Sequence, residues 1–239
     1  MIRDLLLSIA NWSGVVPGSR TNYFCPLCAK GYTRFLPAGT PTRPAALCPG
    51  CHSLERHRLL WVTLNALWDS GQLGGDGKLL HLAPEKCLQS KLQCRFQYVS
   101  ADWNSPLASL NADITRLPFS RQAFDAVICN HVLEHVTQDM LALRELRQVL
   151  KPTGWACIQV PMEGDRTRED SAIVSPEERL RLYGQEDHVR QYGKDFRERL
   201  EAAGFCLQTF PKSMFLAPDQ VTRISIESEQ DVWICRVAE

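Results

Sequence analysis

FDAVICNHVLEHVTQDMLALRELRQVLKPTGWACIQVP, residues Phe124 to Pro161, decides how this chain is read. The apolar run Ala126 to Cys129, bounded by Asp125 and by Asn130-His131, predicts a short buried strand. Met140, Leu143, Leu146 and Val149/Leu150 then recur at helical spacing, with Asp139, Arg144, Glu145 and Arg147 on the other positions, so an amphipathic helix can lay one face on a sheet. Lys151-Pro152 is expected to stop that helix and Gly154 to turn the chain into a second strand, Trp155 to Val160. Strand, crossover helix and strand make a right-handed βαβ unit. Its strand ends share one edge, where open α/β sheets bind ligands. Asn130, His131, Glu134 and His135 therefore fall at the candidate active edge.

The 239 residues suffice for one α/β domain and a small appendage. Lys plus Arg (27) equals Asp plus Glu (27), so net charge offers no long-range attraction for nucleic acid. Leu5 to Ala10 is too short and poorly flanked for a signal peptide or membrane span. The expectation is a soluble cytoplasmic protein with no membrane partner, in which the ten cysteines stay reduced.

Cys25-Pro-Leu-Cys28 and Cys48-Pro-Gly-Cys51 are two CxxC knuckles with nineteen residues between Cys28 and Cys48. A hairpin of that length can bring both pairs around one tetrahedral Zn²⁺, a closed site and hence a structural one. His52 adjoins Cys51 and is badly placed to join it; His57 is a conceivable substitute ligand. From Ser53, a candidate cap, Leu60, Leu64, Leu67 and Trp68 predict a helix. Glu55, Arg56 and Arg58 read as a solvated helix face or, less simply, as contacts for an acidic substrate or RNA. The expected organisation is a zinc-ribbon segment over 1–56 and a catalytic domain over 57–239.

FDAVICNHVLEHV, the amphipathic helix and LKPTGW together resemble the second half of class I S-adenosylmethionine-dependent methyltransferases of the type 11 kind, from about Lys78 onward. The resemblance implies an α/β, doubly wound, Rossmann-like seven-stranded sheet with S-adenosyl-L-methionine as cofactor. Where that family has a glycine-rich first turn, this chain has Leu82-Ala83-Pro84-Glu85. Ala83 is small enough for close approach, Pro84 fixes a turn, and Glu85 could accept from the cofactor's amino group. Asp102, at the tip of a second strand Gln97 to Ala101, has the spacing of a ribose-binding carboxylate. By resemblance Asp113 would accept from the adenine amino group and Ile114 lie against the ring; from sequence alone Asp113 could equally be a turn residue. Asn130 and His131 would border the methionine moiety, with His135 facing either the pocket or the helix packing. His131-Val-Leu-Glu134-His135 also satisfies the HxxEH pattern of a metallopeptidase class, but that reading needs a helix throughout and a further ligand, and the βα pattern already accounts for the segment.

Residues 162–193 form a charged insertion at the active edge, the place for acceptor recognition or merely for solvation. Asp187, Arg190 and Tyr192 are the candidate substrate contacts, and Thr167, Glu169 and Asp170 weaker ones. A helix Lys194 to Ala203 ending at Gly204 precedes strands Phe205 to Phe210 and Asp231 to Val237, an antiparallel pair by resemblance. Cys87, Cys94, Cys129, Cys157, Cys206 and Cys235 lack a second metal spacing and read as buried thiols. The expected activity is methyl transfer to a small-molecule or saccharide-like acceptor, with His188 and His135 as candidate bases and His131 as a third. An RNA methyltransferase carrying a zinc module and a non-catalytic binding protein of the same fold are the alternatives.

Overall fold

Phe124 and Ala126 to Cys129 are wholly buried, as a central parallel strand covered on both faces must be. A computed structural model describes residues 22–238, so the apolar run Leu5 to Ala10 lies outside the described residues. Seven strands form one sheet: β1 Lys78–Leu82, β2 Gln97–Asp102, β3 Leu110–Asn111, β4 Phe124–Asn130, β5 Leu150–Gln159, β6 Phe205–Phe210 and β7 Val232–Val237. Their order is β6-β7-β5-β4-β1-β2-β3. β1 pairs parallel with β2 and β4, β2 with β3, and β4 with β5, while β7 runs antiparallel to β5. The chain winds from β1 outward to β3 and then returns to the other side through β4, so the direction of winding reverses between β1 and β4. This is the expected doubly wound sheet. Among the described residues no helix is long and apolar enough to cross a membrane.

Helix Asp139–Val149 buries Leu143, Leu146 and Val149 of the predicted stripe and also Ala142, while Met140 is half-buried against the core. Its end differs from expectation. β5 begins at Leu150, directly after the helix; pairing passes from Phe124 with Leu150 to Ala126 with Trp155, so residues 151–154 bulge within the strand. Gly154 serves close approach rather than a turn: a Cβ there would lie 2.7 Å from Leu150 Cδ1 and 2.8 Å from the Asp125 carbonyl. Asp125 ties the bulge down, accepting from Lys151 Nζ at 2.7 Å and from the Lys78 amide at 2.8 Å.

The described residues form two compact, interleaved units. One compact unit comprises 22–75, 86–94 and 209–232; the other comprises 76–85, 95–208 and 233–238 and carries the sheet. The first unit holds two short hairpins, Tyr23–Cys25 with Lys30–Tyr32 and Leu36–Ala38 with Arg43–Leu47, and helix Glu55–Asp69. Arg58 explains why these segments belong together. Its guanidinium is wholly buried and donates to the carbonyls of Ala46 and Ser53 at 2.9 Å, Ile224 at 2.6 Å and Ser225 at 2.9 Å. Ribbon, helix and the 209–232 segment thus close on one cation. Neither a solvated face nor a substrate contact describes it, and Glu55 is likewise committed, accepting from Arg43 at 2.8 and 3.1 Å. Ser53 does not cap the helix, which starts after Leu54; instead the Leu54 amide donates to His57 Nδ1 at 3.0 Å. Cys94 and Cys206 are exposed, against the expectation of six buried thiols.

In the insertion, Arg168–Glu169 pairs antiparallel with Arg190–Gln191, and Ser175 caps helix Pro176–Tyr183. The helix expected over Lys194 to Ala203 runs Phe196–Ala202, shorter than the sequence implies. Glu169 accepts from Arg190 at 2.8 Å and Arg199 at 2.5 Å. Burial pushes its carboxyl up, but these two guanidiniums more than offset it and hold it below the usual carboxylate range. A depressed folded value means the anchoring is present above the unfolded pKa of about 4.3 and is lost as pH falls through the folded one. Protection factors of 162–193, taken relative to the intrinsic exchange rate at each pH, should therefore fall on acidification. Glu169→Gln should produce the same loosening at neutral pH, by no more than about tenfold because a half-exposed ion pair contributes ~1 kcal/mol or less. Exchange unaffected by the substitution would count against Glu169 as an anchor.

Candidate functional site

Parallel pairing sets Leu82 beside Ala101 on one side and Cys129 on the other, so residues 83, 102 and 130–131 emerge together at the C-terminal edge. That edge lies where the winding reverses, the usual ligand crevice of such sheets. Ala83 and His131, each just beyond its strand, have φ of 47° and 54°, and their amides donate to the carbonyls of Ala101 and Gln159 at 3.0 and 2.8 Å. Left-handed backbone at non-glycine residues is costly and concentrates at functional sites. Ala83 takes the conformation that a glycine of the absent fingerprint would adopt freely, with only a methyl group at the turn.

Asp102 caps its own turn, its Oδ1 accepting from the amides of Asn104 and Ser105 at 2.7 and 2.6 Å, which orients the carboxylate at the strand tip. Asn130 is buried beside Cys157, whose Sγ lies 3.6 Å from Asn130 Oδ1. Asp113 takes the turn role that the sequence left open, accepting from the Thr115 amide and hydroxyl at 2.8 and 2.7 Å, while Ile114 packs in the core of the sheet. Glu85 is held by buried His81, whose Nε2 lies 2.6 Å from Glu85 Oε2 and whose Nδ1 lies 2.9 Å from the Tyr98 hydroxyl. The spacing of four between His81 and Glu85 is the sequence signal for this pair.

The HVLEH segment is not a continuous helix: Leu133–His135 forms a single 3₁₀ turn between β4 and the next helix. The metallopeptidase geometry is therefore absent. Arg190 clamps this turn, donating to the carbonyls of Leu133, Val136 and Thr137 at 2.9, 2.5 and 2.9 Å. Tyr192 is wholly buried and donates to Asp139 at 2.7 Å. These two expected substrate contacts have their polar atoms committed inside the fold, so they position the turn rather than offer a surface. Asp187 is open, and its Oδ2 lies 3.1 Å from His135 Nδ1; the His135 and His188 rings meet edge to face at 4.8 Å. His188 is 3% exposed, its Nδ1 lies 3.0 Å from the Tyr183 carbonyl, and burial pushes its pKa down. His131 Nδ1 lies 3.4 Å from Glu134 Oε1. All three expected histidines thus converge on Glu134, which the sequence placed at the edge without a role.

The four knuckle cysteines also converge, as free thiols. Cys25 and Cys51 sulfurs are 3.5 Å apart, those of Cys28 and Cys48 3.9 Å, and all four lie within 4.8 Å of one another. A tetrahedron with metal–sulfur bonds of about 2.3 Å has edges of about 3.8 Å, so the set fits such an ion. The residues after each knuckle, Ala29 and His52, share a left-handed φ of 54° and 58°. The Ser53 hydroxyl lies 3.3 Å from the sulfurs of Cys25 and Cys51. Burial lowers the Arg58 pKa, and negative charge at Cys25, Glu55 and Cys48 opposes the shift around a cation whose hydrogen bonds all go to carbonyls.

Residues 79–158, about a third of the chain, match the methyltransferase domain family Methyltransf_11. No curated protein sequence matches the chain. Among solved structures it is similar to 1,6-didemethyltoxoflavin-N1-methyltransferase of Burkholderia thailandensis, with 15% identity over 83% of this chain and 95% of that one and a TM-score of 0.46. It is similar too to the YcgJ protein of Bacillus subtilis, at 13% identity over 74% and 98% with a TM-score of 0.47. A third is phosphoethanolamine N-methyltransferase 2 of Haemonchus contortus, at 12% identity over 75% and 53% with a TM-score of 0.48. The sheet order and the family match across β1 to β5 together give this chain the Rossmann-like methyltransferase fold.

Proposed function

We propose that this chain is an S-adenosylmethionine-dependent methyltransferase acting on a small-molecule acceptor, with a structural Zn²⁺ held by Cys25, Cys28, Cys48 and Cys51. The observation that carries the reading is the strand-end edge itself: left-handed Ala83 and His131 flank the β1/β4 reversal, with the Asp102 carboxylate oriented beside them. The cofactor, when bound, supplies a methyl group already made electrophilic by its sulfonium. What remains for the protein is alignment and exclusion of water.

In this reading the Ala83-Pro84 turn admits the cofactor closely, Asp102 accepts from the ribose hydroxyls, and Asn130 and His131 border the methionine end. Glu85 acts with His81 as its fixed partner. Asp113 and Ile114 shape the adenine side through the turn and the packing described above. The acceptor lies toward His131, His135 and Asp187, the exposed members of the histidine cluster. The balanced net charge and the acidic Glu186-Asp187 tip favour a small acceptor over RNA phosphates. The zinc reading rests on the four-sulfur geometry and on Arg58 beside it.

Calorimetric titration with S-adenosylmethionine tests the proposal. Asp102→Asn keeps an oxygen for the Asn104 and Ser105 amides but removes the charge, and should weaken binding by about 1.5–3 kcal/mol, roughly ten- to hundredfold. Equal affinity in wild type and variant would remove Asp102 from the nucleoside site. No binding by the wild type would leave the non-catalytic alternative.

A further inference from the structure

The Glu134 side chain is almost wholly buried, at 1% residue exposure, yet its Oε2 has no hydrogen-bond partner. His188 is similarly buried and its Nε2 is also without a partner. Buried polar groups are normally hydrogen-bonded, so two unpartnered atoms in one place call for a ligand. The two sit in one cluster: one ligand atom from each of Glu134, His135 and His188 lies within 4.8 Å of the others. A cation held between the unpartnered carboxylate oxygen and the imidazole lone pair would satisfy both.

Both imidazoles are arranged as metal-ligating histidines are, with the far ring nitrogen bonded to a carbonyl or carboxylate that fixes the tautomer. His188 Nδ1 lies 3.0 Å from the Tyr183 carbonyl, which can only accept, so Nδ1 carries the proton and Nε2 the lone pair. His135 Nδ1 lies 3.1 Å from Asp187 Oδ2, which by the same reasoning leaves its lone pair on Nε2. The backbone holds the ligands in register. Arg190 clamps the carbonyls of the 133–137 turn, and the Val189 amide donates to the Glu134 carbonyl at 2.8 Å, joining the two ligand-bearing segments.

We propose that Glu134, His135 and His188 bind a divalent first-row transition metal such as Zn²⁺ or Mn²⁺, at a site separate from the four-cysteine cluster. Two imidazoles and a carboxylate are a donor set for borderline ions and, with three protein ligands, leave coordination positions open. The site lies one turn beyond β4, next to His131 at the candidate cofactor edge. If the methyltransferase reading holds, on which this use alone rests, an oxygen of the acceptor occupies an open position. The histidines then serve the acceptor through the ion rather than as free bases.

Metal binding is measured without cofactor or turnover, so its failure and that of the methyltransferase reading are separable. The full chain is loaded with excess Zn²⁺ or Mn²⁺, desalted and analysed for metal, and titrated calorimetrically with each ion. The expected result is a second equivalent beyond the four-cysteine ion. Glu134→Gln preserves shape, and His135→Ala alters an exposed residue, so both variants should fold. Each should abolish the second equivalent or weaken it beyond the ~10–100-fold typical of losing an outer partner; Asp187→Asn should cause only that smaller loss. Co²⁺ at this site should add weak visible bands that the two ligand variants lack, while the thiolate charge-transfer bands of the cysteine cluster persist. The proposal is overturned if the wild type takes up no second ion, or if Glu134→Gln and His135→Ala retain it with wild-type affinity.

Discussion

Removing the Zn²⁺ proposed at Cys25, Cys28, Cys48 and Cys51 should unfold the ribbon, whose described residues build only a small apolar interior. Its strands are three to five residues long, and among the described residues its apolar interior comprises Phe24, Leu27, Phe35 and Ala46 beside the sulfurs. Structural Zn²⁺ in small cysteine sites contributes roughly 10–16 kcal/mol at neutral pH, far more than such a core can supply. Metal-free protein, or Cys48→Ser, should therefore lose exchange protection across 22–54. The sheet over 95–208 should keep its own. Chelation that leaves 22–54 protected, with all four thiols reactive, would show that the ribbon folds without an ion.

Arg58→Ala should destabilise the unit built from 22–75, 86–94 and 209–232 by about 3–5 kcal/mol, the range for removing one side of a buried charged network. Four carbonyls, those of Ala46, Ser53, Ile224 and Ser225, would lose their donor at once. The guanidinium also lies 4.4 Å from the centre of the Phe35 ring, a stacking contact that a truncated side chain forfeits. Arg58→Lys should recover only a fraction, since one ammonium has three donors and cannot span four acceptors in a planar fork. Denaturant unfolding, read by exchange at 43–47 and 218–226, measures both. Arg58→Ala within 1 kcal/mol of wild type would mean that water replaces the guanidinium and that the side chain does not organise this unit.

Periodicity made β4, the crossover helix and β5 legible, because burial on a sheet imposes a local pattern on consecutive residues. The paired cysteines were legible for a related reason: each knuckle is a four-residue turn, and only the meeting of the two depends on the fold. The ends of elements were less so. Lys151-Pro152-Thr153-Gly154 has the composition of a loop, and it became a bulge because the Asp125 carbonyl and the Leu150 side chain leave no room for a Cβ at Gly154. Asp113 could be a turn residue or an adenine contact until Thr115 was seen on its carboxylate.

What the sequence by itself determined is the strand–helix–strand unit over 124–161 and the two cysteine pairs, since both follow from spacing along the chain; the doubly wound order was implied only by the family resemblance. Tertiary structure alone decided the fates of Arg58, Arg190 and Tyr192, which look like surface or substrate residues and are buried with their polar atoms bonded to segments up to 167 positions away. It also brought His188 to Glu134 and His135 across more than fifty residues. The physical reason is one of range. A charged or titratable side chain carries no local signal of its burial, because its hydrogen-bond partners are distant backbone carbonyls and carboxylates that only the folded chain assembles.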